Sequence, residues 1–156
     1  MEKPCKQVNA FLMIALDQHI YKRIVAAKIF MDENFEEDIN LEIISKHAFF
    51  SRFHFHRLFT KVYKITPHRY LTQKRLDKAK KLLEKEGISI AEVCNCVGFE
   101  SLASFSLLFK KENGYAPQYY RNIAYLKQKL AMEQPKKFIP HCYIQTYQLD
   151  KESNIQ

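Results

Sequence analysis

Four cysteines carry the most reactive side chains in this sequence, and their spacing argues against both a metal centre and a disulfide framework. Cys5, Cys94, Cys96 and Cys142 are scattered along 156 residues, whereas disulfide-stapled domains are short and dense in cysteine. Cys94 and Cys96 lie two apart in a helical stretch, so their side chains point to different faces and cannot easily share a zinc ion. We interpret the cysteines as small buried apolar thiols and expect neither a metal nor a cofactor.

A second chemistry, the binding of anions, is indicated by the distribution of charge. The chain carries 25 Lys and Arg against 17 Asp and Glu, a net charge of +8. Residues 32–42 hold six acids and no base, whereas residues 51–85 hold eleven Lys and Arg but only two acids. An evenly solvated surface would mix its signs. The polarised distribution therefore favours an anionic partner for the basic stretch.

The elements that position these groups are predicted to be helices. The chain has only 3 Gly and 5 Pro, and a sheet would need tight turns that use glycine. A hydrophobic content of 47% is enough for the core of one domain. The apolar run at residues 10–16 is too short to span a bilayer. We therefore expect an all-α protein that does not enter a membrane and works in the cytoplasm.

Apolar periodicity and capping residues predict a helical body over residues 17–123. The predicted helices are 17–34 with Asp17 as N-cap, 41–48 after Asn40, one after Ser51, 67–86, 89–97 opened by a capping box, one after Ser101, and 117–121. We expect residues 1–16 to be an N-terminal segment, 17–125 the domain and 126–156 a tail. Within that tail, residues 138–149 could pack on the body or form a short strand.

The two halves of the body resemble each other. The residues Ile39, Ile44, Phe50, Ser51, Phe55, Leu58, Phe59, Pro67 and Tyr70 recur as Ile88, Val93, Phe99, Ser101, Phe105, Leu108, Phe109, Pro117 and Tyr120. The offset is 49 up to Phe99 and 50 after it, because Glu100 is inserted. We call residues 39–70 the first unit and residues 88–120 the second unit. Each unit is predicted to form a short helix, a tight turn and a longer helix, which is the helix-turn-helix layout. The alternative is an ordinary helical bundle in which the similarity of the two halves is accidental.

The predicted joining helix has a length that suits DNA. Its 20 residues would span ~30 Å at about 1.5 Å per residue, and successive major grooves on one face of B-DNA are ~34 Å apart. One chain could thus place two helices in adjacent grooves without dimerising, so we expect a monomer on double-stranded DNA. The acidic stretch 32–42 should face away from the DNA.

Further motifs specify the family. They are the first unit from Leu41 to Phe59, Thr66-Pro67-His68-Arg69-Tyr70-Leu71, Arg75-Leu76-Asp77-Lys78-Ala79, Ser89-Ile90-Ala91-Glu92-Val93, Gly98-Phe99-Glu100-Ser101, Phe105-Ser106, Phe109-Lys110-Lys111, Gly114-Tyr115-Ala116-Pro117, Tyr120 and Arg121. Over residues 20–122 this pattern resembles the DNA-binding domain of the AraC/XylS family of transcriptional regulators. The resemblance implies two helix-turn-helix subdomains joined by a long linker helix. It also implies a sequence-specific regulator, which we expect to be an activator in contact with RNA polymerase.

The resemblance also implies which residues meet DNA. Exposed positions near the start of the second helix of each unit should contact base edges, namely Arg52, Phe53, His56 and Arg57, and then Leu102, Ala103, Ser106 and Leu107. Arg can hold a guanine with two donors, and Phe can lie against a thymine methyl. The alternative for Arg57 is a solvated surface charge. We expect the DNA backbone to be contacted by Ser51, Lys61, Lys74, Arg75, Ser101, Ser104 and Lys110.

The second unit departs from the family pattern. An arginine is common where Leu107 stands, and polar residues are usual at positions 102 and 103. Leu102, Ala103 and Leu107 cannot form hydrogen bonds to bases, so they could contact thymine methyls, rest in the groove with little discrimination, or cover a protein partner or the tail. In the first unit, Phe49 stands where the second has Gly98; if the turn needs a positive φ, Phe49 is strained.

Two functions of other classes are the alternatives. Some relatives fuse this domain to a methyl-accepting cysteine for alkylation repair, but none of the four cysteines lies in a recognisable nucleophile motif. We therefore do not expect an enzyme. A helical adaptor that has lost DNA binding is favoured only by the apolar second helix. About 16 residues precede the first predicted helix and about 33 follow the last, too few for a separate ligand-binding domain. The chain thus resembles short, stand-alone members, and we expect it to be associated with the nucleoid. The alternative is one part of a longer system, with a partner bound through Phe11, Leu12, Ile14 or the tail.

Overall fold

The computed structural model describes residues 18–85 and 87–146, without the side chains of His141 and Gln145. Its elements are α1 (Gln18–Asn34), α2 (Leu41–His47), α3 (Arg52–Tyr63), α4 (Pro67–Leu83), α5 (Ile90–Cys96), α6 (Leu102–Asn113), α7 (Pro117–Glu133), a 3-10 turn (Pro135–Phe138) and α8 (His141–Thr146). No strand forms within the described ranges. The predicted N-cap Asp17, the predicted linker end Glu86 and the surface of Phe11, Leu12 and Ile14 lie outside the described residues. The all-α fold of two helix-turn-helix units joined by one helix is confirmed.

Side-chain caps mark where the helices α2 to α6 begin. The Asn40 Oδ1 atom accepts hydrogen bonds from the backbone N–H groups of Glu42 and Ile43, both at 3.0 Å. The predicted capping box at Ser89 and Glu92 is present in both directions, with the Ser89 N–H donating to the Glu92 carboxylate at 2.7 Å. These bonds satisfy N–H groups that have no partner inside the helix. The caps expected at the start of α2 and α5 are therefore confirmed.

Two hydrophobic cores are built on the same plan, and α4 contributes to both. The first contains Ile24, Ala27, Met31, Ile39, Ile44, Ala48, Phe55, Phe59 and Leu71, and the second contains Leu76, Ala79, Leu83, Val93, Cys94, Val97, Phe105 and Phe109. Phe55 stacks at a tilt on Phe59, and Phe105 does the same on Phe109, with ring centroids 5.5 and 5.7 Å apart. The linker is thus a structural member of each unit and not a tether between them.

The repeat extends further back along the chain than the nine matched positions predict. Ile24, Ala27 and Met31 of α1 occupy the same places in the first core as Leu76, Ala79 and Leu83 of α4 in the second, at a constant offset of 52. The repeated element is therefore a long helix followed by a helix-turn-helix, and the first unit accordingly extends back to include α1 and the loop of residues 35–38. The match was not seen in the sequence because apolar residues three and four apart are common to most amphipathic helices.

Two helix ends differ from the sequence prediction. The linker α4 has 17 residues and ends at Leu83, so it is about 25 Å long and not ~30 Å. In contrast, α7 was predicted to end at Arg121 and continues to Glu133, because no breaker intervenes before Pro135. The boundary predicted at 125/126 therefore falls inside a continuous helix.

The tail beyond α7 is helical as far as it is described. Residues 135–138 form a 3-10 turn and 141–146 form α8, in which Ile144 is buried. Of the two alternatives for residues 138–149, the strand is wrong for the described part. Tyr147 and Leu149 lie outside the described residues.

One acid ties α1 to α4. The Asp32 carboxylate accepts from Lys28 Nζ and Lys74 Nζ, each at 2.7 Å, and from the Tyr70 hydroxyl at 2.5 Å. Burial alone would raise the pKa of Asp32, but these hydrogen bonds outweigh it and lower the pKa to about 2. The second unit has a simpler counterpart, in which the Tyr120 hydroxyl donates to the Glu84 carboxylate at 3.0 Å.

We predict that Asp32→Asn lowers the free energy of unfolding by about 1–2 kcal/mol at neutral pH, because hydrogen bonds to a charged group are lost. Because the pKa of Asp32 is lowered from 3.8 to about 2, its contribution is complete above about pH 4 and disappears as the pH falls towards 2. Urea unfolding at several pH values measures this. Asp77→Asn is the control, since Asp77 is exposed and its ion pair with Lys80, at 3.4 Å, stays within α4. Equal effects of the two variants at neutral pH would contradict the prediction.

Candidate nucleic-acid interface

The second helix of the first unit, α3, presents a basic face to solvent. Phe55 and Phe59 are buried in the core, while Arg52, Phe53, His56 and Arg57 are exposed; Phe53 is 88% exposed. The four predicted base-contact residues of this helix therefore share one outward face.

The second helix of the second unit, α6, buries and exposes the equivalent positions, but its exposed face has a different chemistry. Phe105 and Phe109 are buried, and Leu102, Ala103 and Leu107 are exposed, Leu107 by 72%. Ser106, the remaining predicted base contact, is half-buried. The outward face of α6 is thus apolar at the positions where that of α3 is basic.

Charge reinforces this difference. Within α3 the charged residues are Arg52, Arg57 and Lys61 and no acid is present, whereas the charged residues of α6 are Lys110, Lys111 and Glu112 at its far end. Arg57 and Lys61 form no ion pair with any residue in the described ranges. Cations without partners suit a polyanion such as DNA. The aromatic ring beside them suits the apolar thymine methyl groups that DNA exposes in its major groove.

The predicted backbone contacts divide into two groups. Ser51, Lys61, Ser101, Ser104 and Lys110 are exposed. The hydroxyl oxygens of Ser51 and Ser101 cap α3 and α6, accepting from the N–H groups of His54 and Ser104 at 3.4 Å. The three serines thus lie at the N-terminal ends of the two helices, where backbone N–H groups and the helix dipole favour anions, whereas Lys61 and Lys110 lie in the last turns of α3 and α6.

Lys74 and Arg75 have internal partners instead. Lys74 forms its ion pair with Asp32. Arg75 Nε donates to the carbonyl of Phe35 at 2.7 Å, and one terminal nitrogen donates to the carbonyl of Glu37 at 2.8 Å. The structure thus gives both side chains partners inside the protein, which the sequence did not predict. Neither an ion pair to a distant carboxylate nor a hydrogen bond to a distant backbone carbonyl leaves a mark in the local sequence.

The turn before α3 has the left-handed conformation that glycine would favour. Phe49 has φ = 55° and is 82% exposed, so the strain expected from comparison with Gly98 is present. Arg23, which was not singled out in the sequence, holds this turn. Its guanidinium donates to the carbonyls of Ala48, at 2.7 Å, and of Phe49, and lies 3.9 Å from the ring centre of Phe50. The sequence did hold one signal for Arg23: it stands 52 residues before Arg75, the same offset that relates the buried residues of α1 to those of α4.

Among the described cysteines, the expectation of buried thiols holds for Cys94 and is wrong for Cys96 and Cys142. Cys94 is buried and its thiol donates to the carbonyl of Phe99 at 3.4 Å, and burial raises the pKa of Cys94, which disfavours the reactive thiolate. Cys96 and Cys142 are exposed and free. Over the described residues, no three His, Cys, Asp or Glu side chains are grouped as metal ligands. None of the described helices has the length and apolar character needed to cross a membrane.

Sequence comparison agrees with this geometry. Residues 44–123 match the family described as a helix-turn-helix domain. The chain is 33% identical over 99 residues to the bifunctional transcriptional activator/DNA repair enzyme AdaA of Bacillus subtilis, covering 64% of this chain and 47% of that protein. It is 34% identical over 106 residues to the HTH-type transcriptional regulator GbdR of Pseudomonas aeruginosa, covering 68% of this chain and 28% of that protein. The chain thus spans less than half the length of these relatives.

Solved structures show the same architecture. An AraC-type DNA-binding regulator from Chromobacterium violaceum superimposes with a TM-score of 0.60 at 26% identity, covering 67% of this chain and 93% of that one. The DNA-binding domain of the global transcriptional factor AdpA, solved in complex with a target DNA, superimposes with a TM-score of 0.62 at 25% identity, covering 72% and 96%. The two outward helices on a shared linker agree with the family match and with these solved structures. The chain belongs to the AraC/XylS family of DNA-binding transcriptional regulators.

Proposed function

We propose that this chain is a sequence-specific transcriptional activator that places α3 and α6 in two adjacent major grooves of one DNA duplex. The observation that carries the proposal is the outward face of α3, where Arg52, His56 and Arg57 are exposed around Phe53 with no acid among them. The AdpA domain, with the same architecture, is bound to its target DNA, which supports DNA as the partner here. For activation we propose a contact with RNA polymerase.

Base readout is assigned mainly to α3. Arg52 and Arg57 can each hold the O6 and N7 atoms of a guanine with two donors, and His56 can donate or accept one hydrogen bond. Phe53 can pack against a thymine methyl. Phosphate contacts are assigned to Ser51, Lys61, Ser101, Ser104 and Lys110, which are exposed.

Lys74 and Arg75 are left out of the proposed interface. Their donors are bound to Asp32 and to the carbonyls of Phe35 and Glu37. Breaking such contacts to reach a phosphate would leave buried or charged groups without partners.

Selection of bound sequences from a random DNA pool tests the proposal directly. We expect an enriched motif whose affinity falls steeply with salt, because phosphate contacts release counterions. The adaptor alternative, which the exposed Leu102 and Leu107 favour, predicts no enriched motif. Absence of enrichment, together with gel shifts that show no binding at low salt, would overturn the proposal.

We predict that Arg57→Ala weakens binding to the selected site by ~1–3 kcal/mol and relaxes one base position. Lys61→Ala is the matched control, since Lys61 lies one turn further along α3 and is assigned to phosphate. It should weaken binding about equally on all sequences and reduce the salt slope. Competition binding against the selected site and each single-base variant separates the two. Uniform loss in Arg57→Ala would place Arg57 on the backbone instead.

The free protein is predicted to be a monomer that binds an asymmetric site of roughly 20 base pairs, two groove crossings. The reason is that one chain carries both units on α4. Sedimentation with and without the selected DNA measures the stoichiometry. A stable dimer on a palindromic site would contradict this arrangement.

The selected motif is predicted to be lopsided, with strong preferences under α3 and at most a thymine preference under α6. Leu102, Ala103 and Leu107 offer only apolar groups, and the thymine methyl is the feature of the major groove that such groups detect. Leu107→Arg should tighten binding, mostly through charge, and add a guanine preference in the weak half. If the motif selected by the unmodified protein showed equally strong base preferences in both half-sites, the side of α6 that we assign to DNA would be wrong.

A further inference from the structure

We propose that Arg75 and Gly98 form a contact between the two units that fixes the angle between α3 and α6, and thereby selects the half-site spacing that the protein accepts. We call this the inter-unit contact; it consists of Arg75, Gly98, Phe99 and the loop of residues 35–38. The inference rests on the proposed two-groove binding. It makes Arg75 and Gly98 positioning residues and not DNA ligands.

Arg75 reaches both units from the middle of α4. Its guanidinium donates at 2.7 and 2.8 Å to the carbonyls of Phe35 and Glu37, in the loop between α1 and α2. The same guanidinium carbon lies 5.7 Å from the ring centre of Phe99, in the turn between α5 and α6. One planar, always charged group thus links the loop of the first unit to the turn of the second.

Gly98 brings the two backbones into direct contact. It has φ = 76°, and a Cβ atom at this position would lie 2.7 Å from the Glu36 carbonyl oxygen and 3.1 Å from an Arg75 terminal nitrogen. Real Cβ atoms essentially never approach another atom to 2.7 Å. The turn of the second unit therefore lies against the 35–38 loop at a distance that only glycine permits.

In the first unit, the residues equivalent to Arg75 and Gly98 form no contact of this kind between units, among the residues that the structure describes. Arg23 stands at the place of Arg75, and it binds carbonyls of its own turn, at Ala48 and Phe49. Phe49 stands at the place of Gly98, keeps the positive φ and is 82% exposed. The duplicated arginine therefore holds a turn within one unit in the first case and joins two units in the second.

Charges on both sides favour the same arrangement. Burial lowers the pKa of Arg75, and the charges of Asp38 from the first unit and Glu100 from the second oppose that effect. Glu100 is the residue by which the second unit is longer. Lys78, one turn along α4, adds an ion pair to Glu36 at 3.0 Å. Because α6 begins at Leu102, directly after this turn, its direction is set relative to the first unit.

Gly98→Ala tests the contact, with Gly114→Ala as the matched control. Gly114 has a similar φ of 81°, so alanine brings the same backbone strain, but nothing lies within 4 Å of its added Cβ. Affinity is measured on the selected DNA, on duplexes whose half-site spacing is changed one base pair at a time, and on a duplex with only the α3 half-site. Thermal unfolding shows whether each variant is folded.

We expect Gly98→Ala to bind the native spacing on the order of tenfold more weakly, because simultaneous engagement depends on geometry. Its preferred spacing should shift or broaden, while its affinity for the single half-site stays within about twofold. Gly114→Ala should keep the spacing preference of the unmodified protein. If Gly98→Ala does not fold, Arg75→Gln and Arg75→Lys provide the same test, with Arg23→Gln as their control. Lysine cannot hold two carbonyls in a fixed fork, so Arg75→Lys should not restore the spacing preference.

Two failures are distinguishable. If the folded Arg75 and Gly98 variants keep the spacing preference of the unmodified protein, or if Gly98→Ala and Gly114→Ala behave alike, the inter-unit contact does not set spacing. If the unmodified protein binds a duplex shortened to the α3 half-site as tightly as the full site, the two-groove proposal itself fails. If it prefers the full site but is indifferent to spacing, only the role of the inter-unit contact in spacing fails.

Discussion

The packing of α4 into two cores at once is the constraint on which the rest of the structure depends. Leu71 lies in the first core, while Leu76, Ala79 and Leu83 lie in the second. Each half is too small to bury much apolar surface alone, and small domains are marginal for that reason. A shared helix gives each unit a third apolar wall and makes the orientation of one unit depend on the other. The two outward helices α3 and α6 are thus carried on one shared frame.

Duplication supplied the frame, and the two copies then took on different chemistry. The buried residues remain paired, as with Phe55 and Phe59 against Phe105 and Phe109. The outward faces have diverged, since α3 exposes Arg57 where α6 exposes Leu107. Core positions are constrained by close packing, whereas exposed positions are limited only by what they meet. This difference in surface on a common core is what the proposed lopsided reading of two half-sites requires.

The charge pattern has two uses that composition cannot separate. Some cations of the basic stretch 51–85 form ion pairs within the protein: Lys74 pairs with Asp32 and Lys78 pairs with Glu36. These pairs lie on the side where the acidic stretch 32–42 meets α4, so the acids neutralise that side of the linker. Within the described ranges, Arg57 and Lys61 of α3 have no such partners, and their charge is available to a polyanion. The sign asymmetry in the sequence therefore describes both an internal interface and an external one.

Local signals determined most of the helices, the caps at Asn40 and Ser89, the repeat and the outward faces of α3 and α6, because periodicity and capping act over three or four residues. The same signals placed the end of α4 too late and that of α7 too early, since the extent of a helix depends on what its last turns pack against. Only the tertiary structure decided the role of Arg75. Its carbonyl partners are 38 and 40 residues away in sequence, and no local pattern encodes a hydrogen bond to a backbone carbonyl so distant. The close approach at Gly98 was likewise invisible, because a glycine in a turn predicts a positive φ and says nothing about the neighbour that its missing side chain admits.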